Sequence, residues 1–463
     1  MYNFDGTDDK KAMSGAHQRS ANKLLKLACA NGGVWIKVGQ HIGALEYLLP
    51  DEYVRTMSVL HSRAPQSPIE DLQKVFREDL GKDISDVFDD FDPQPIGTAS
   101  LAQVHRARSR ATGEEVAIKI QHPRVKPHSF VDMATMEALV HIAAWLFPEF
   151  KLLWLAEETK RNLPTELDFI NEGHNAERVQ RMLVNLPFLK VPKVYWDYSS
   201  GRVLTMEFCQ GGQVNDAEYL RRHKISPHEV SRMLGRLYSE MIFVHGYVHC
   251  DPHPGNVFVH KSPQTGEASV VLLDHGLYTT LTDDFRMNYA NLWLSLFSAD
   301  TEGIKRWSQA LGTAELYALF ACMVTARSWK SVTTGIDKSQ VSAEESAEIK
   351  GFIGTYLPQI SDVLSRIPRP MILILKTNDL LRGIEYRLGT QNSALSFLYM
   401  SKCCVKAVSS YDYKRAVSKL RRWRISARYY WILGQLTIYE YWLSFAEYFA
   451  SFVKIFKRRR AIV

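Results

Sequence analysis

The spacing of apolar residues predicts three regions along the chain, which are helical, β-rich and helical in that order. Residues 15–60 carry apolar side chains at intervals of three and four, as on the buried face of a helix. Gly32-Gly33 is predicted to divide this region into two helices, and Pro50 to end it. Residues 66–92 predict two further short helices, the first of which has Pro68 at its first position.

Shorter apolar runs in the middle of the chain predict strands. Residues 100–106 and 115–121 are β-prone runs on either side of a polar turn, which predicts a hairpin. Residues 190–194 and 202–208 predict a second pair of strands. The remaining predicted elements are helices at about 130–147 and 151–185, short apolar runs at 256–260 and 269–274, and helix over most of the chain after Gly211-Gly212.

Together these elements predict an α+β fold of two lobes, with a small β-rich N-lobe, a larger helical C-lobe and an N-terminal helical extension. A cleft between two such lobes is a common place for a ligand. The predicted domains are a helical extension at 1–65, the N-lobe at 66–208, the C-lobe at 209–420 and a basic, aromatic helical tail at 421–463.

Composition narrows the class of protein but not its activity. The chain has 463 residues, of which 46% are hydrophobic and 23% charged, values typical of a globular protein. Its formal net charge is +7, and basic runs lie at 421–424 and 457–460. Such a basic end commonly serves only solubility, while contact with anionic lipid or nucleic acid is the alternative. Six cysteines without a CxxC pair or clustered histidines argue against a disulfide framework or a structural zinc site.

No stretch of the chain is predicted to be a clean membrane span, and the N-terminus carries no readable targeting segment. Residues 1–11 are polar and match neither a signal peptide nor a mitochondrial presequence. Residues 429–456 are rich in aromatic side chains but include Glu440 and Glu447, which would be costly inside a bilayer. This tail predicts either a helix at a membrane interface or a helix packed on the main domain, and the sequence leaves both open.

The clearest chemical signal is a pair of motifs separated by a strand-like run. The segment 249–256 contains Asp251 and Asn256, and it is followed by Asp274-His275-Gly276. Kinase-like phosphotransferases place an Asn five residues after the catalytic Asp, followed by a strand and an Asp-x-Gly turn. In this chemistry Asp251 orients or deprotonates the nucleophile, while Asn256 and Asp274 supply oxygen ligands to Mg²⁺. A polar turn between strands would explain either motif alone, but not both in this order.

A lysine on a predicted strand supplies the second signal. Lys119 ends a Val-Ala-Ile-Lys run that matches the strand presenting a lysine to the α- and β-phosphates in kinase folds. Because an unpaired lysine is costly to bury, an anionic partner is expected. Glu166, Asp168 and Glu172 offer three carboxylates, of which the last two share a helix face. A solvated lysine and a solvated acidic face are the alternative.

The loop before this hairpin is predicted to approach the phosphates. It reads Gly97-Thr98-Ala99-Ser100, so it has small side chains but lacks the GxGxxG pattern of protein kinases. On its own this run is not diagnostic. Glu207 and Cys209, where the last N-lobe strand ends, are also assigned to the nucleotide site.

Taken together, these motifs resemble the AarF/UbiB family of atypical kinases over roughly residues 20–410. Lys37-Val38-Gly39-Gln40 matches the family's KxGQ motif, and the small-residue run at 97–100 lies at its alanine-rich loop. Glu166-x-Asp168 matches the ExD motif, and Glu172 lies where the family has its lysine-pairing glutamate. Segments such as 35–49 and 373–384 are most similar to a mitochondrial animal member.

The resemblance implies a more particular function than general protein phosphorylation. In the family the KxGQ helix packs over the active site, so Lys37 is expected to pair with Glu166, with Gln40 and Asp168 as further regulatory residues. That arrangement fills the space of a peptide substrate. The resemblance implies ATP and Mg²⁺ as cofactors, ATP hydrolysis or an atypical kinase activity, and a role in mitochondrial lipid or membrane homeostasis. Expected partners are ATP or ADP and anionic membrane lipid or mitochondrial membrane proteins, with no nucleic acid.

Two other functions stay open at this point. The Asp251–Asn256 motif also suits enzymes that phosphorylate small alcohols, although those lack a KxGQ helix. A nucleotide-gated scaffold for membrane-organising proteins is the other alternative, although every catalytic position is filled. The residues after Asp274 contain no Ala-Pro-Glu signature, which argues against a standard activation segment.

Overall fold

The computed structural model of the protein describes residues 7–43, 49–61, 64–146, 153–335, 345, 357–390 and 394–460. The chain divides into two compact units. The first comprises Met1–Asp216, Cys250–Tyr278 and Phe352–Ser365, and the second comprises Ala217–His249, Thr279–Gly351 and Arg366–Val463. The segment that carries both chemical motifs therefore groups with the N-terminal part of the chain, while the domain boundaries predicted from the sequence stay predictions.

Helices account for most of the described residues. Short 3₁₀ helices lie at Ser58–His61, Trp196–Tyr198 and Ala314–Leu316, and a π-helix lies at Glu240–His245. The α-helices, in chain order, are α1 (Thr7–Asn31), α2 (Gly33–Gly43), α3 (Asp51–Met57), α4 (Ile69–Leu80), α5 (Ile84–Val87), α6 (Val125–Leu146), α7 (Leu153–Glu166), α8 (Phe169–Met182), α9 (Ala217–Arg222), α10 (Pro227–Ser239), α11 (Asp283–Phe297), α12 (Thr301–Ala310), α13 (Tyr317–Thr325), α14 (Trp329–Thr334), α15 (Leu357–Arg366), α16 (Arg369–Leu388), α17 (Ala394–Arg415) and α18 (Lys419–Arg460).

Two sheets lie within the first unit. The strands of the chain are β1 (Phe88–Asp89), β2 (Gly97–Thr98), β3 (Ala102–Ser109), β4 (Glu115–Gln121), β5 (Leu189–Lys190), β6 (Val203–Glu207), β7 (Gly212–Gln213), β8 (Tyr247–His249), β9 (Val257–Lys261), β10 (Ala268–Leu272) and β11 (Tyr278–Thr280). One sheet has the order β1-β3-β4-β6, with β2 beside β3, and its pairs are antiparallel. The other has the order β5-β10-β9-β7, with a parallel β5–β10 pair.

A hydrophobic core joins α4 to the first sheet. The apolar residues Leu72, Val75 and Phe76 recur at the spacing of one helix face, and all three are buried. They pack in the same cluster as Ile118 of β4. The helix ends at Gly81, whose left-handed φ of 67° is the common C-terminal stop. This packing holds β4, and hence the predicted catalytic lysine, on a rigid element.

The N-terminal helices form their own small cores in the first unit. Ile36 of α2 clusters with Met57 and Leu60 of the following segment. On another side of the helix, Val34 of α2 clusters with Val125 and Met133 of α6 and with residues of α7. The KxGQ helix is therefore fixed between two apolar clusters.

The second unit is built from helices with clear start signals. Ser226 accepts a hydrogen bond from the Glu229 backbone N–H and so caps α10, and Pro227 follows it at the first helical position. The helix passes into the π-helix and ends at Gly246, where φ is 65°. α10 and α11 both pack on α17, and α17 packs along α18.

The fold confirms the predicted α+β class and most of the predicted elements. The hairpin at β3–β4, the helix break at Gly32-Gly33 and the short strands β9 and β10 all occur. The helix predicted over 151–185 is divided at Leu167–Asp168, because Asp168 caps a new helix.

The predicted strand pair 190–194 and 202–208 does not form as such. Val194 and Met206 make one isolated bridge, while β5 pairs with β10. Pro192 lies within the first predicted strand and has no backbone N–H to continue a ladder.

Candidate active site

Lys119 lies on the central strand of the first sheet. In β4 it stands opposite Val104 of β3 on one side and Leu204 of β6 on the other. Lys119 as a whole is only 8% exposed. The ammonium donates to both carboxylate oxygens of Glu172, at 2.7 and 2.8 Å, and to Oδ2 of Asp274 at 3.0 Å. The anionic partner expected for a buried lysine is therefore present, and it is Glu172 rather than Glu166 or Asp168.

Asp168 places Glu172 by starting a new helix. Its side chain accepts a hydrogen bond from the Ile170 backbone N–H, as an N-cap residue does. Glu172 then lies in the first turn of α8 and is almost fully buried. Phe169, at the first position of α8, lies with its ring centroid 5.1 Å from the Lys119 Nζ. This cation–π contact adds to the two carboxylates that hold the ammonium.

Asp274 is held in a tight turn by backbone contacts. Its Oδ1 accepts the Gly276 N–H at 2.9 Å. A Cβ atom at position 276 would lie 3.1 Å from that same oxygen, so glycine keeps the space beside the carboxylate free. Asn175 of α8 donates a hydrogen bond to the His275 carbonyl oxygen at 3.0 Å. The His275 ring nitrogen Nδ1 and the Tyr278 hydroxyl form a further hydrogen bond at 2.8 Å. α8 therefore positions both Glu172 and the turn that carries Asp274.

Asp251 and Asn256 face each other within one loop. The Asn256 side-chain nitrogen donates to the Asp251 carbonyl oxygen at 3.1 Å and lies 3.5 Å from its Oδ2. The His253 ring accepts the Gly255 N–H at 3.1 Å, which tightens the loop between them. Because the amide nitrogen of Asn256 is directed to Asp251, its amide oxygen is the atom offered as a ligand.

The charges in this cluster shift one another's pKa values. Burial alone would lower the pKa of Lys119, but Asp274 and Glu172 outweigh it and hold the pKa above its ordinary value. Burial would raise the pKa of Asp274, but Lys119 and the Gly276 N–H lower it to about 2. Burial raises the pKa of Glu172 to about 7, and the charge of Asp274 adds to this rise. One ammonium cannot fully compensate two carboxylates, and the deficit falls on Glu172, which is almost fully buried, whereas the Asp274 side chain is 34% exposed.

The KxGQ helix contributes a second buried ion pair. Lys37 Nζ lies 2.6 Å from Glu166 Oε2, and the two side chains are 12% and 7% exposed. Burial lowers the pKa of Lys37, but the charges of Glu166 and Asp251 raise it above its ordinary value. Gln40 donates to the Leu60 carbonyl oxygen at 3.0 Å and is buried. The pairing of Lys37 with Glu166 agrees with the expectation from the resemblance.

Close packing around position 39 explains why this motif contains glycine there. A Cβ atom there would clash with the Leu60 side chain and lie 2.8 Å from Met57 Cε. A larger residue would require the ends of the Leu60 and Met57 side chains, or α2 itself, to shift. The motif therefore combines a cation and an anchoring amide, three positions apart on one face of α2, with a point of close packing at Gly39.

These groups line one small cavity, with a free volume of about 80 Å³. Two ammonium groups and four carboxylates face it, a formal excess of two negative charges. The lining residues are Lys37, Gln40, Ala99, Ser100, Leu101, Ala102, Lys119, Glu166, Phe169, Glu172, Asp251, His253, Asn256, Asp274, Gly276 and Leu277.

The donor set of the cavity fits Mg²⁺. Asp274 is ionised at neutral pH, and Asn256 offers an amide oxygen, so both supply the hard oxygen ligands that Mg²⁺ prefers. Among the described residues no group of three or more His, Cys, Asp or Glu side chains forms a dedicated metal cage. Two protein ligands are nevertheless typical, because Mg²⁺ in phosphoryl-transfer sites takes its other ligands from phosphates and water.

Some predicted site residues lie away from this cavity. Gly97 and Thr98 form β2, which pairs with β3. Glu207 pairs with Lys190 at 2.7 Å, and Cys209 does not line the cavity either. Asp168 caps α8 and faces a different cavity. Nucleotide contacts for these residues stay predictions, as do the roles assigned to the residues that the structure does bring together.

Several residues of the site were not predicted, among them Phe169, His253 and Asn175. Phe169 and His253 line the cavity, and Asn175 ties α8 to the Asp274 turn. Asn175 lies three positions after Glu172 and so on the same face of α8, which is the one signal that sequence could have given. Nothing local in the sequence marks Phe169 as a partner of Lys119.

Comparison with known proteins identifies the family that the chain resembles. The family model described as the ABC1 atypical kinase-like domain matches residues 59–308. The chain is 55% identical over 430 residues to AarF domain-containing protein kinase 1 of Gallus gallus, covering 93% of this chain and 83% of that protein. It is 52% identical over 446 residues to AarF domain-containing kinase 1 of Drosophila melanogaster, covering 95% of this chain and 85% of that protein.

Among solved structures, the erythromycin complex of Rv3197 from Mycobacterium tuberculosis matches with a TM-score of 0.47 and 21% identity. That match covers 83% of this chain and 99% of the other. The family assignment rests instead on the domain match and on relatives that are more than half identical over nearly the whole chain. The chain belongs to the ABC1, or AarF-domain-containing, family of atypical kinases, with the kinase-like α+β fold.

Proposed function

We propose that this protein binds Mg-ATP and transfers or hydrolyses the γ-phosphoryl group, with its own α2 restricting access by protein substrates. The observation that carries the proposal is the Lys119 ammonium, which is held between Glu172 and Asp274 in a cavity that Asp251 and Asn256 also line. Phosphoryl transfer depends mainly on positioning and charge neutralisation, and these groups supply both.

Each group has a role that follows from its position. Lys119 would neutralise phosphate oxygens, and Glu172 would keep its ammonium aimed into the cavity. Asp251 would orient the attacking hydroxyl or water and accept its proton. Asn256 and Asp274 would hold the metal ion, which would supply further charge neutralisation at the phosphates.

The restriction of substrates follows from α2. Lys37 extends into the same cavity and pairs there with Glu166. The free volume of about 80 Å³ is well below the ~300–1,000 Å³ that small-molecule sites usually offer. A substrate therefore requires α2 or the adjacent loop at 97–101 to move. Water needs much less room than a peptide, which favours ATP hydrolysis over protein phosphorylation.

A membrane role is the remaining part of the proposal, with the mitochondrion as the site of action. It is supported by the exposed aromatic residues of α18, which a membrane interface would accept. Those at least 60% exposed include Trp423, Tyr430, Trp431, Tyr441 and Trp442. Four arginines in the first part of the helix, at 421, 422, 424 and 428, favour anionic lipid.

The experiment is ATP turnover by the purified chain with Mg²⁺, with and without vesicles containing anionic lipid. Wild type is expected to hydrolyse ATP, and Lys119→Met to lose at least ~100-fold, because it removes the charge that faces the phosphates. Lys160→Met is the matched control, since Lys160 is exposed and lies outside the cavity. Absence of turnover and of ATP binding in wild type would refute the proposal. ATP binding with no turnover, unchanged by Asp251→Asn, would instead support the scaffold.

A further inference from the structure

α6 is an apolar helix that the protein leaves largely uncovered. Among the described residues it is the one helix that is long and apolar enough to cross a membrane. Only 11% of its most apolar 18-residue stretch is buried within the protein. Phe130 and Trp145 are 83% and 79% exposed, and Leu139 and Ile142 are each about half exposed. A soluble protein rarely exposes so many large apolar residues on one element without a partner.

One face of α6 does pack, which fixes its orientation. Val125, Met133 and Met136 cluster with residues of α2 and α7. The helix therefore lies on the first unit rather than standing free of it, and its other face is the exposed one. A helix held in this way suits a position in the plane of a membrane surface rather than across it.

An apolar groove runs between α6 and α7 beside the exposed residues. Its cavity has a volume of about 620 Å³, within the range of ~300–1,000 Å³ that suits small-molecule ligands. Phe130 and Met133 line it from α6, and Leu163, Pro164 and Leu167 line it from α7 and the residue after it. Most of this wall is apolar, which suits a flexible hydrocarbon chain. The charged groups at its edge are Lys126, the Glu137–Lys160 ion pair and Asp168.

Charge on this surface favours an anionic lipid. α6 contains two acidic residues, and each already has a partner within the protein. Asp132 accepts a hydrogen bond from the Trp35 indole N–H at 3.2 Å, and Glu137 forms an ion pair with Lys160 at 2.7 Å. Lys126 also lines the groove, and Arg124 is exposed just before the helix. The surface therefore presents cations at one end of an apolar helix without an unpaired carboxylate on that helix to repel a headgroup.

We infer that α6 is a membrane-docking helix, which lies in the interface of an anionic bilayer while the α6–α7 groove receives an acyl chain of one lipid. The headgroup phosphate of that lipid meets Lys126 and Arg124. These residues belong to a different helix and a different unit from the exposed aromatic residues of α18, and the inference does not depend on nucleotide chemistry.

The test is flotation of the full chain with vesicles and no nucleotide, so an inactive enzyme would not affect it. All variants carry Trp431→Asp, which weakens the contribution of α18. Adding Phe130→Asp or Trp145→Asp is expected to lower binding to phosphatidylglycerol-containing vesicles about tenfold or more, as loss of a large apolar anchor should. Adding Val184→Asp is the matched control, because Val184 is 83% exposed like Phe130 but lies after α8.

A photoreactive group at the end of a phosphatidylglycerol acyl chain gives an independent readout. Crosslinks are expected in the peptides that contain 126–137 and 160–168. The inference is overturned if the Trp431→Asp chain no longer floats, if Phe130→Asp and Trp145→Asp both float like Val184→Asp, or if crosslinks fall only within 419–460. Equal binding to vesicles of neutral phosphatidylcholine alone would overturn the assignment of an anionic headgroup.

Discussion

Removal of the Lys37 charge should loosen α2 by a large and measurable amount. In Lys37→Met, Glu166 would remain buried, with only 7% of its side chain exposed and no ammonium at 2.6 Å. Breaking a buried ion pair in this way typically costs ~3–5 kcal/mol, because the remaining charge is uncompensated. This cost destabilises the closed position of α2, because movement of α2 away from the cavity would expose Glu166 to water.

Hydrogen exchange of the amides in residues 33–43 measures this opening directly. A cost of ~3–5 kcal/mol corresponds to about 10²–10⁴-fold faster exchange. The double variant Lys37→Met with Glu166→Gln should exchange more slowly than Lys37→Met alone, because no charge is then left unpaired. ATP turnover should rise in Lys37→Met, since α2 no longer closes the cavity as often.

Lys160→Met is the control for this measurement. Lys160 forms an ion pair of similar length, 2.7 Å, with Glu137, but the two side chains are 57% and 42% exposed. Exposed pairs contribute ~0–1 kcal/mol, so exchange of α2 should change little. The reasoning is refuted if Lys37→Met changes α2 exchange by no more than the control does, or if the effects of Lys37 and Glu166 substitutions simply add.

Three further predictions follow from individual contacts. Gly39→Ala should destabilise the packing of α2 on Leu60 by ~1 kcal/mol, seen as faster α2 exchange, whereas no change would show that the ends of the Leu60 and Met57 side chains make room without cost. Asn175→Ala removes the hydrogen bond to the His275 carbonyl oxygen and should weaken Mg-ATP binding, measured by calorimetry. Unchanged affinity would mean that the Asp274 turn keeps its conformation without this bond. ATP turnover should fall as pH decreases through about 7, because protonated Glu172 no longer holds Lys119 as an ion pair, and Glu172→Gln should flatten that limb at a lower plateau.

The parts of the site that sequence predicted are those with short-range signals. Lys119 was predicted because an apolar strand pattern surrounds it, and β4 buries both of its faces as that pattern requires. Asp251, Asn256 and Asp274 were predicted because their spacing follows from one loop and one strand pair. In each case the chemical requirement and the local structure act within about 25 residues.

The parts that sequence did not predict depend on contacts between distant residues. Asn175 meets His275 across 100 positions, and the need for Gly39 arises from Leu60 on another element. The regulatory role assigned to Asp168 stays a prediction, and the structure adds a local role for it as the N-cap of α8. An Asp before an apolar helix start is a common capping signal, so the helix break at this point was accessible from sequence and was outweighed by the longer helical pattern.

Lys119 gives Asp274 a tethered counter-ion of its own. The ammonium stands 3.0 Å from the carboxylate that is expected to receive Mg²⁺, so part of that charge is already balanced without nucleotide, although the same ammonium also pairs with Glu172. A chelator should therefore leave the fold of the nucleotide-free protein intact. Free Mg²⁺ should bind Asp274 only weakly, because it competes with an ammonium that is tethered beside the carboxylate. Phosphates would offer the ammonium another anionic partner. Metal and nucleotide uptake would then behave as one coupled ion exchange, in which neither component binds well without the other.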